Sequence, residues 1–208
     1  VISGSGGHRT IFNLVKGLIR AGAQVEIQLE GFNEAVSYLH SEMMGYQYKL
    51  TKYWQPGTTC DVAIATVGYS PEFVAKEMNS KSKFYLVQDY EASFNPVSDA
   101  FINVQNSYNY GLVPLCVGSW LPHVLKEQHN VQSFYSGLGS DPKTYHYLSL
   151  DRCFDVAFLY QPEKHRRLGD FCVKALNSLH KHMPNIRVIS YGSQSRPPLC
   201  FDYEHLGL

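Results

Sequence analysis

The sequence predicts an α/β protein built on a doubly wound, parallel sheet. Short apolar segments alternate with segments of roughly 10 to 13 residues whose apolar positions recur at helical spacing. One of the short segments, DVAIATVG, is apolar without interruption. Such a run is typical of a parallel strand that helices cover on both faces. Glycine, proline and polar residues separate the segments and mark their ends.

The first elements surround a glycine cluster. Apolar residues recur at helical spacing between Thr10 and Ala21, and Gly22 ends that helix. The following segment, AQVEIQLE, alternates like a strand. In order, we expect a strand at 1–3, a helix at 10–21, a strand at 23–30, a helix at 33–44 and an extended segment at 45–54.

The alternation continues through the middle of the chain. Ser70 suits the N-cap of a helix whose first position holds Pro71. We expect strands at 61–68, 83–88, 113–118 and 131–136, with helices at 71–78, 97–108 and 119–129.

The segment GLGSDPKTYHYLSLDR interrupts this rhythm and indicates a linker. We expect a first domain at 1–140, a linker at 141–152 and the start of a second α/β domain at 153–208. Its elements are a strand at 153–160, a helix at 166–182 and a strand at 185–192. The natural chain is expected to continue beyond residue 208.

Composition excludes several classes of protein. The 18 basic residues balance the 18 acidic ones, so no overall charge favours nucleic acid as a partner. No segment reaches the roughly 18 apolar residues of a membrane span. The five cysteines are scattered, and most lie in or beside apolar runs, which indicates buried free thiols in a reducing, cytoplasmic compartment. His180 and His182 are two apart on a predicted helix and point apart, so no metal site is expected.

The glycine cluster has three interpretations. Gly4, Gly6 and Gly7 lie between a strand and a helix, where backbone N–H groups form an anion site. The dinucleotide pattern G-x-G-x-x-G is incomplete because Arg9 occupies its last glycine position, although Glu30 could serve as the ribose-binding acid. A tight turn without ligand is the second interpretation. The third is a sugar or phosphate site in which His8 and Arg9 reach a cleft.

Two further regions suggest ligands. Gln88, Asp89, Tyr90 and Glu91 follow a buried strand, at the sheet edge where open α/β sheets bind ligands, and they suit a substrate rich in hydroxyl groups. An ordinary polar loop is the alternative. The second region holds Lys164, Arg166 and Arg167, placed between a strand and a helix N-terminus. These cations suit a diphosphate, and a solvated basic turn is the alternative.

Five blocks of the sequence carry a resemblance that covers nearly the whole chain: SGSGGHRTIFNLVKGLIRAGAQVEI, FYLVQDYEASFNP, SYNYGLVPLCVGSWL, GLGSDPKTYHY and DVAFLYQPEKHRRLGDFCVKAL. With these blocks the chain resembles glycosyltransferases of the GT-B type, which have two Rossmann-like domains. More narrowly, it resembles the rhamnosyltransferase-like group that builds bacterial surface polysaccharides. The order VQDYE, then QP-x-x-x-R, is the more specific part.

The resemblance implies that the N-terminal domain meets the acceptor and the C-terminal domain binds a nucleotide-sugar, with Arg166 on the diphosphate. Arg167 stands where the family has a small neutral residue, so either arginine is a candidate. The family's acidic donor-binding stretch is not reached before residue 208. The second domain is therefore expected to be truncated, and residues 1–208 alone are expected to fall short of catalysis.

The expected reaction needs no cofactor beyond the donor, and the absence of a D-x-D motif fits a metal-independent route. Gly6 and Gly7 let a sugar approach, Asp89 or Glu91 acts as general base if the reaction inverts, and Asp141 lines the cleft. The acceptor is a saccharide, free or lipid-linked, and the latter implies peripheral membrane contact. Trp54 and Trp120 have three open roles: membrane docking, core packing and sugar stacking.

Two other functions stay open. An NAD(P)-dependent oxidoreductase would use the glycine loop for a pyrophosphate, which Arg9 disfavours. A non-catalytic sugar-binding module would use the polar strand ends but gives no role to the basic turn. Preference for a nucleotide-sugar, for NAD or for neither separates the three functions.

Overall fold

A computed structural model of the chain describes residues 5–31, 36–142 and 145–207. The chain divides into two compact units, Val1–Ser140 and Asp141–Leu208, each of which has its own parallel sheet. The α/β class with parallel strands is therefore confirmed. The strand predicted at 1–3, Gly4 and the start of the helix predicted at 33 lie outside the described residues.

Unit 1 alternates strands and helices, as the sequence predicts. Its strands are β1 (Glu26–Gln28), β2 (Lys49–Thr51), β3 (Thr59–Ala65), β4 (Asn79–Val87), β5 (Val113–Cys116) and β6 (Phe134–Tyr135). Its helices are α1 (Gly6–Arg20), α2 (Val36–Glu42), α3 (Ser70–Glu77), α4 (Asp99–Ser107) and α5 (Leu121–His129).

The main sheet of unit 1 has the strand order β3-β4-β5-β6, and all of its pairings are parallel. At the carboxyl edge Ala65 is opposite Tyr85, and Val87 is opposite Cys116. Strands β1 and β2 form a separate parallel pair among the described residues. Because the four strands run the same way, the loops that follow them meet at one edge of the sheet.

Two apolar clusters stabilise unit 1. One is formed by α1, α2 and their neighbours, and Phe12, Leu39 and Met43 are almost completely buried in it. The other joins the main sheet to its helices and includes Val87, Cys116, Leu121, Leu125 and the phenol rings of Tyr85, Tyr90 and Tyr108. The second cluster lies directly behind the carboxyl ends of β4 and β5, and so it fixes the loops there.

Several boundaries in unit 1 differ from the prediction, and three of them have a local explanation. Helix α1 begins at Gly6 because Ser5 caps it, with the Ser5 hydroxyl oxygen 3.5 Å from the His8 nitrogen. Ser70 is the first helical residue rather than the N-cap, and its hydroxyl oxygen accepts the N–H groups of Thr66 and Val67. Strand β4 begins at Asn79, since backbone pairing with β3 does not require apolar side chains.

Unit 2 contains β7 (Val156–Leu159), α6 (Gly169–His182), β8 (Val188–Tyr191) and β9 (Glu204–His205). The strands pair in parallel in the order β7-β8-β9, and the core holds Phe158, Tyr160, Val173, Leu176 and Val188. Strand β9 was not predicted, because two polar residues give no strand pattern. Helix α6 begins three residues later than predicted, since Leu168 adopts φ +51° and ends a preceding 3₁₀ turn, His165–Arg167.

The predicted burial of the cysteines is wrong for most positions. All five cysteines are free thiols, but only Cys116 is buried, while Cys153 and Cys200 are exposed. Their apolar neighbours in sequence face a core that these two thiols do not enter. No helix in the described part of the chain combines the length and the apolar character needed to cross a membrane.

Gly192→Ala is expected to destabilise unit 2 by about 3 kcal/mol. Gly192 has φ +98°, and an added Cβ would lie 2.4 Å from Leu159 Cδ1, so backbone strain and overpacking combine. Gly207→Ala is the matched control, since φ is +76° but the nearest atom is 3.5 Å away, and about 1 kcal/mol is expected. Hydrogen exchange of the β8 amides measures both changes. Equal effects would contradict the packing argument.

Candidate functional site

The carboxyl edge of the main sheet brings two of the predicted regions together. Gln88 follows β4, and Gly7 lies in the first turn of α1. A Cβ added to Gly7 would lie 3.5 Å from Gln88 Oε1 and 3.7 Å from Nε2. The amide side chain therefore lies against the N-terminus of the helix. The glycine turn and the polar strand end form one surface, although they are far apart in the sequence.

The residues next to Gly7 differ in what they offer to a ligand. Gly6 is exposed, and a Cβ there would meet no atom within 4 Å. His8 is half-buried and stacks on Phe12, and burial lowers the pKa of its imidazole. The Arg9 guanidinium lies 3.4 Å from Glu42 Oε1. This ion pair directs Arg9 towards the end of α2, so its predicted reach into a cleft stays a prediction.

Of the two carboxylic acids predicted as catalytic, Asp89 is the more accessible. It is half-buried, and its Oδ1 accepts the N–H of Tyr90 at 2.8 Å. This local hydrogen bond holds the carboxylate beside the backbone of its own loop. Asp89 thus stands at the sheet edge in an orientation that the next peptide group helps to fix.

Glu91 is enclosed in the unit. Its side chain is 8% exposed, and Oε2 accepts the N–H of Gly68 at 2.6 Å. The Glu91 N–H donates in turn to the Tyr108 hydroxyl at 3.1 Å. Burial and the nearby charge of Asp89 raise the pKa of Glu91 to about 7, although the Gly68 hydrogen bond acts in the opposite direction. Glu91 therefore joins the loops that follow β3 and β4.

Tyr90 supports the same loop from inside. Its hydroxyl lies 3.0 Å from His129 Nε2 and accepts the Gln105 amide at 3.2 Å. Its ring stacks on Tyr108 with centroids 5.6 Å apart. Burial lowers the pKa of His129. The phenol thus makes its polar contacts with α4 and α5 inside the unit, whereas the prediction placed it on the substrate.

Several residues of this arrangement were missed by the sequence reasoning: Gly68, Gln105, Tyr108 and His129. Gly68 gives the only signal that sequence reading offers here, a glycine at the end of a predicted strand, which indicates close approach of another group. A Cβ at Gly68 would lie 2.8 Å from Val104 Cγ1 and 3.1 Å from Glu91 Oε2. The other three are ordinary helix residues whose role depends on tertiary contacts.

The cationic turn of unit 2 follows the carboxyl end of β7. Lys164, Arg166 and Arg167 are all exposed, and Lys164 Nζ donates to Gln161 Oε1 at 3.2 Å. Arg166 and Arg167 lie in a separate 3₁₀ turn before α6, and Lys164 directly precedes that turn. The predicted position between a strand and a helix is therefore observed, although the helix predicted from residue 166 begins at Gly169.

The remaining predicted residues have simple surroundings. Asp141 is exposed, and its carbonyl accepts the N–H of Tyr145 at 2.8 Å. Glu30 Oε2 accepts the Tyr69 hydroxyl at 2.8 Å. Burial and this hydrogen bond raise the pKa of Tyr69 to about 12. Glu30, the candidate ribose-binding acid, thus already accepts a hydrogen bond within unit 1.

Within residues 5–31, 36–142 and 145–207, no group of three or more His, Cys, Asp or Glu side chains is arranged to hold a metal ion. A shallow depression lies at the amino ends of β3 and β4, away from the polar edge. Its charged residues, Asp61 and Lys81, form an ion pair at 2.6 Å. The charges of Asp61 and Lys81 are therefore paired with each other.

Glu91→Gln is expected to remove much of the pH dependence of unit 1 stability. Folding raises the pKa of Glu91 from 4.5 to about 7, so the folded state holds this proton more tightly than the unfolded chain. The resulting stability is complete below pH 4.5 and is lost as pH rises to about 7. The loss is about 3 kcal/mol for the wild type and is absent in the variant.

Urea denaturation followed by tryptophan fluorescence measures this difference, because both tryptophans lie in unit 1. Glu77→Gln, at an exposed carboxyl group of α3, is the matched control and is expected to keep the wild-type slope. Parallel pH curves for the wild type and Glu91→Gln would contradict the assignment of this proton to Glu91.

Comparison with known proteins adds no relative: no family model matches the sequence, and no curated protein matches it.

Proposed function

We propose that this chain is part of a GT-B glycosyltransferase, which moves a sugar from a nucleotide-diphosphate sugar to a saccharide acceptor in surface polysaccharide synthesis. The resemblance favours rhamnose as the sugar. The observation that carries the proposal is the contact of Gln88 with Gly7 at the carboxyl edge of the sheet, next to Asp89. An amide, a carboxylate and an uncovered helix start suit the hydroxyl groups of a saccharide.

Asp89, the more accessible of the two carboxylic acids, is the better candidate for the general base. In an inverting reaction the acceptor oxygen attacks the anomeric carbon, the bond from that carbon to the phosphate oxygen breaks, and Asp89 takes the hydroxyl proton. Glu91 is less suited because its carboxyl is buried and hydrogen-bonded to Gly68. We therefore assign Asp89 as general base and Glu91 as a positioning residue.

The cationic turn of unit 2 supplies the donor side of the proposal. The leaving nucleoside diphosphate gains negative charge as the bond breaks, and Lys164, Arg166 and Arg167 offer positive charge to stabilise it. All three are exposed beside the end of β7, which suits a ligand that arrives from solvent. A non-catalytic sugar-binding module would have no use for this turn.

An oxidoreductase is less well supported. Arg9, in the place of the last glycine of the dinucleotide pattern, pairs with Glu42. Glu30, the candidate ribose-binding acid, accepts a hydrogen bond from Tyr69. The dinucleotide pattern thus lacks its last glycine, and its candidate ribose-binding acid already has a hydrogen-bond partner within unit 1.

Binding of nucleoside diphosphates tests the proposal directly. Calorimetry of the full-length protein with UDP, dTDP, GDP, their sugar derivatives and NAD is expected to give binding of one nucleoside diphosphate. The double variant Arg166→Ala and Arg167→Ala should weaken it at least tenfold, since each charged hydrogen bond contributes about 1.5–3 kcal/mol.

Lys181→Ala is the matched control, because this exposed cation lies in the last turn of α6. It should leave the affinity unchanged. Binding of NAD alone, or of no nucleoside diphosphate, would contradict the transferase proposal.

A further inference from the structure

We infer that Trp120 is a stacking platform for a pyranose ring, whose hydroxyl groups reach Asp89 and Gln88. The inference rests on the proposed function for the class of ligand, a saccharide. Its structural basis lies in unit 1 alone. The site would hold the acceptor sugar next to the proposed base.

The ends of β4 and β5 bring the segments that carry these side chains next to each other. Val87 pairs with Cys116, and the Val117 N–H donates to the Val87 carbonyl at 3.0 Å, so the pairing continues past the end of β5. Adjacent strands lie about 5 Å apart. Beyond this pairing, β4 is followed by Gln88 and Asp89, and β5 is followed by the segment 118–120.

Gly118 leaves space for the indole ring of Trp120. A Cβ at Gly118 would be 3.0 Å from Trp120 Nε1 and 3.2 Å from its Cδ1. The indole therefore lies directly over the backbone at the strand end, in space that a side chain would take. The absence of a side chain at Gly118 therefore leaves the ring room at the carboxyl edge of the sheet.

Trp120 is excluded from the core although its neighbours are not. It is 50% exposed, whereas Leu121 and Leu125 of α5 are completely buried. The other tryptophan, Trp54, packs on Phe73 and Tyr69 with centroids 5.0 and 6.0 Å away. Trp120 makes no such ring contact with the described residues. Of the three roles that the sequence left open for it, sugar stacking fits this position best.

The chemistry of the neighbours selects a saccharide over other flat ligands. A pyranose has a face of C–H groups that packs on an aromatic ring and a rim of hydroxyl groups that bond to carboxylates and amides. A nucleotide also stacks on tryptophan, but its phosphates would be repelled by Asp89 and by Glu91 when ionised. An apolar ring beside a carboxylate and an amide therefore matches a neutral, hydroxylated ring.

The two tryptophans allow a direct test by fluorescence. In the Trp54→Phe variant Trp120 is the sole tryptophan, and titration with methyl rhamnoside, mannoside and glucoside should give a saturable emission change for at least one sugar. In Trp120→Phe the same sugar should leave the emission of Trp54 unchanged. Asp89→Asn in the Trp54→Phe background should weaken binding about tenfold, and Asp99→Asn, at an exposed acid of α4, should not.

Absence of any emission change in Trp54→Phe would overturn the inference. Equal sugar affinity of the wild type and Trp120→Ala by calorimetry would also overturn it. Sugar binding without nucleoside diphosphate binding would reject the transferase and keep this site. Diphosphate binding without sugar binding would keep the transferase and reject this site. A nucleotide that changes Trp120 emission while no sugar does would assign the platform to a different ligand.

Discussion

The buried hydrogen bond between Glu91 and Gly68 is the contact on which the polar edge of unit 1 depends. It joins the loop after β3 to the loop after β4 at 2.6 Å, where solvent hardly enters. An unmade hydrogen bond at such a place is costly, so the two loops are constrained together. Tyr108 extends the constraint, since its hydroxyl accepts the Glu91 N–H and its ring stacks on Tyr90. Asp89 directly precedes Tyr90 in this loop, and its carboxylate accepts the Tyr90 N–H.

The polar edge thus combines a rigid interior with an accessible surface. Tyr90 and Glu91 use their polar atoms inward, while Gln88 and Asp89, adjacent to them in sequence, remain at the surface. Two carboxyl groups that are two residues apart therefore meet different dielectric surroundings. Burial favours the protonated form of Glu91.

Sequence patterns predicted most helices and strands of the main sheet, because burial imposes a period that the residues must follow. They also placed the polar groups after β4 and the cations after β7. They did not predict that Tyr90 and Glu91 turn inward, because the pattern QDYE is equally polar whether it faces solvent or a buried imidazole and phenol. Leu168 at positive φ and the polar strand β9 were missed as well, since leucine prefers other conformations and β9 depends only on pairing with β8. Tertiary contacts decide these positions.

The uniformly parallel pairing has a consequence for how the protein folds. No two described strands form a hairpin, so each pairing requires a crossover to close first. Contacts between residues distant in sequence slow folding, because chain entropy is lost before the contacts form. The contact between Gly7 and Gln88 joins residues that are distant in sequence in this way. The polar edge therefore exists only as a product of the completed topology, and no short segment of the chain can carry it alone.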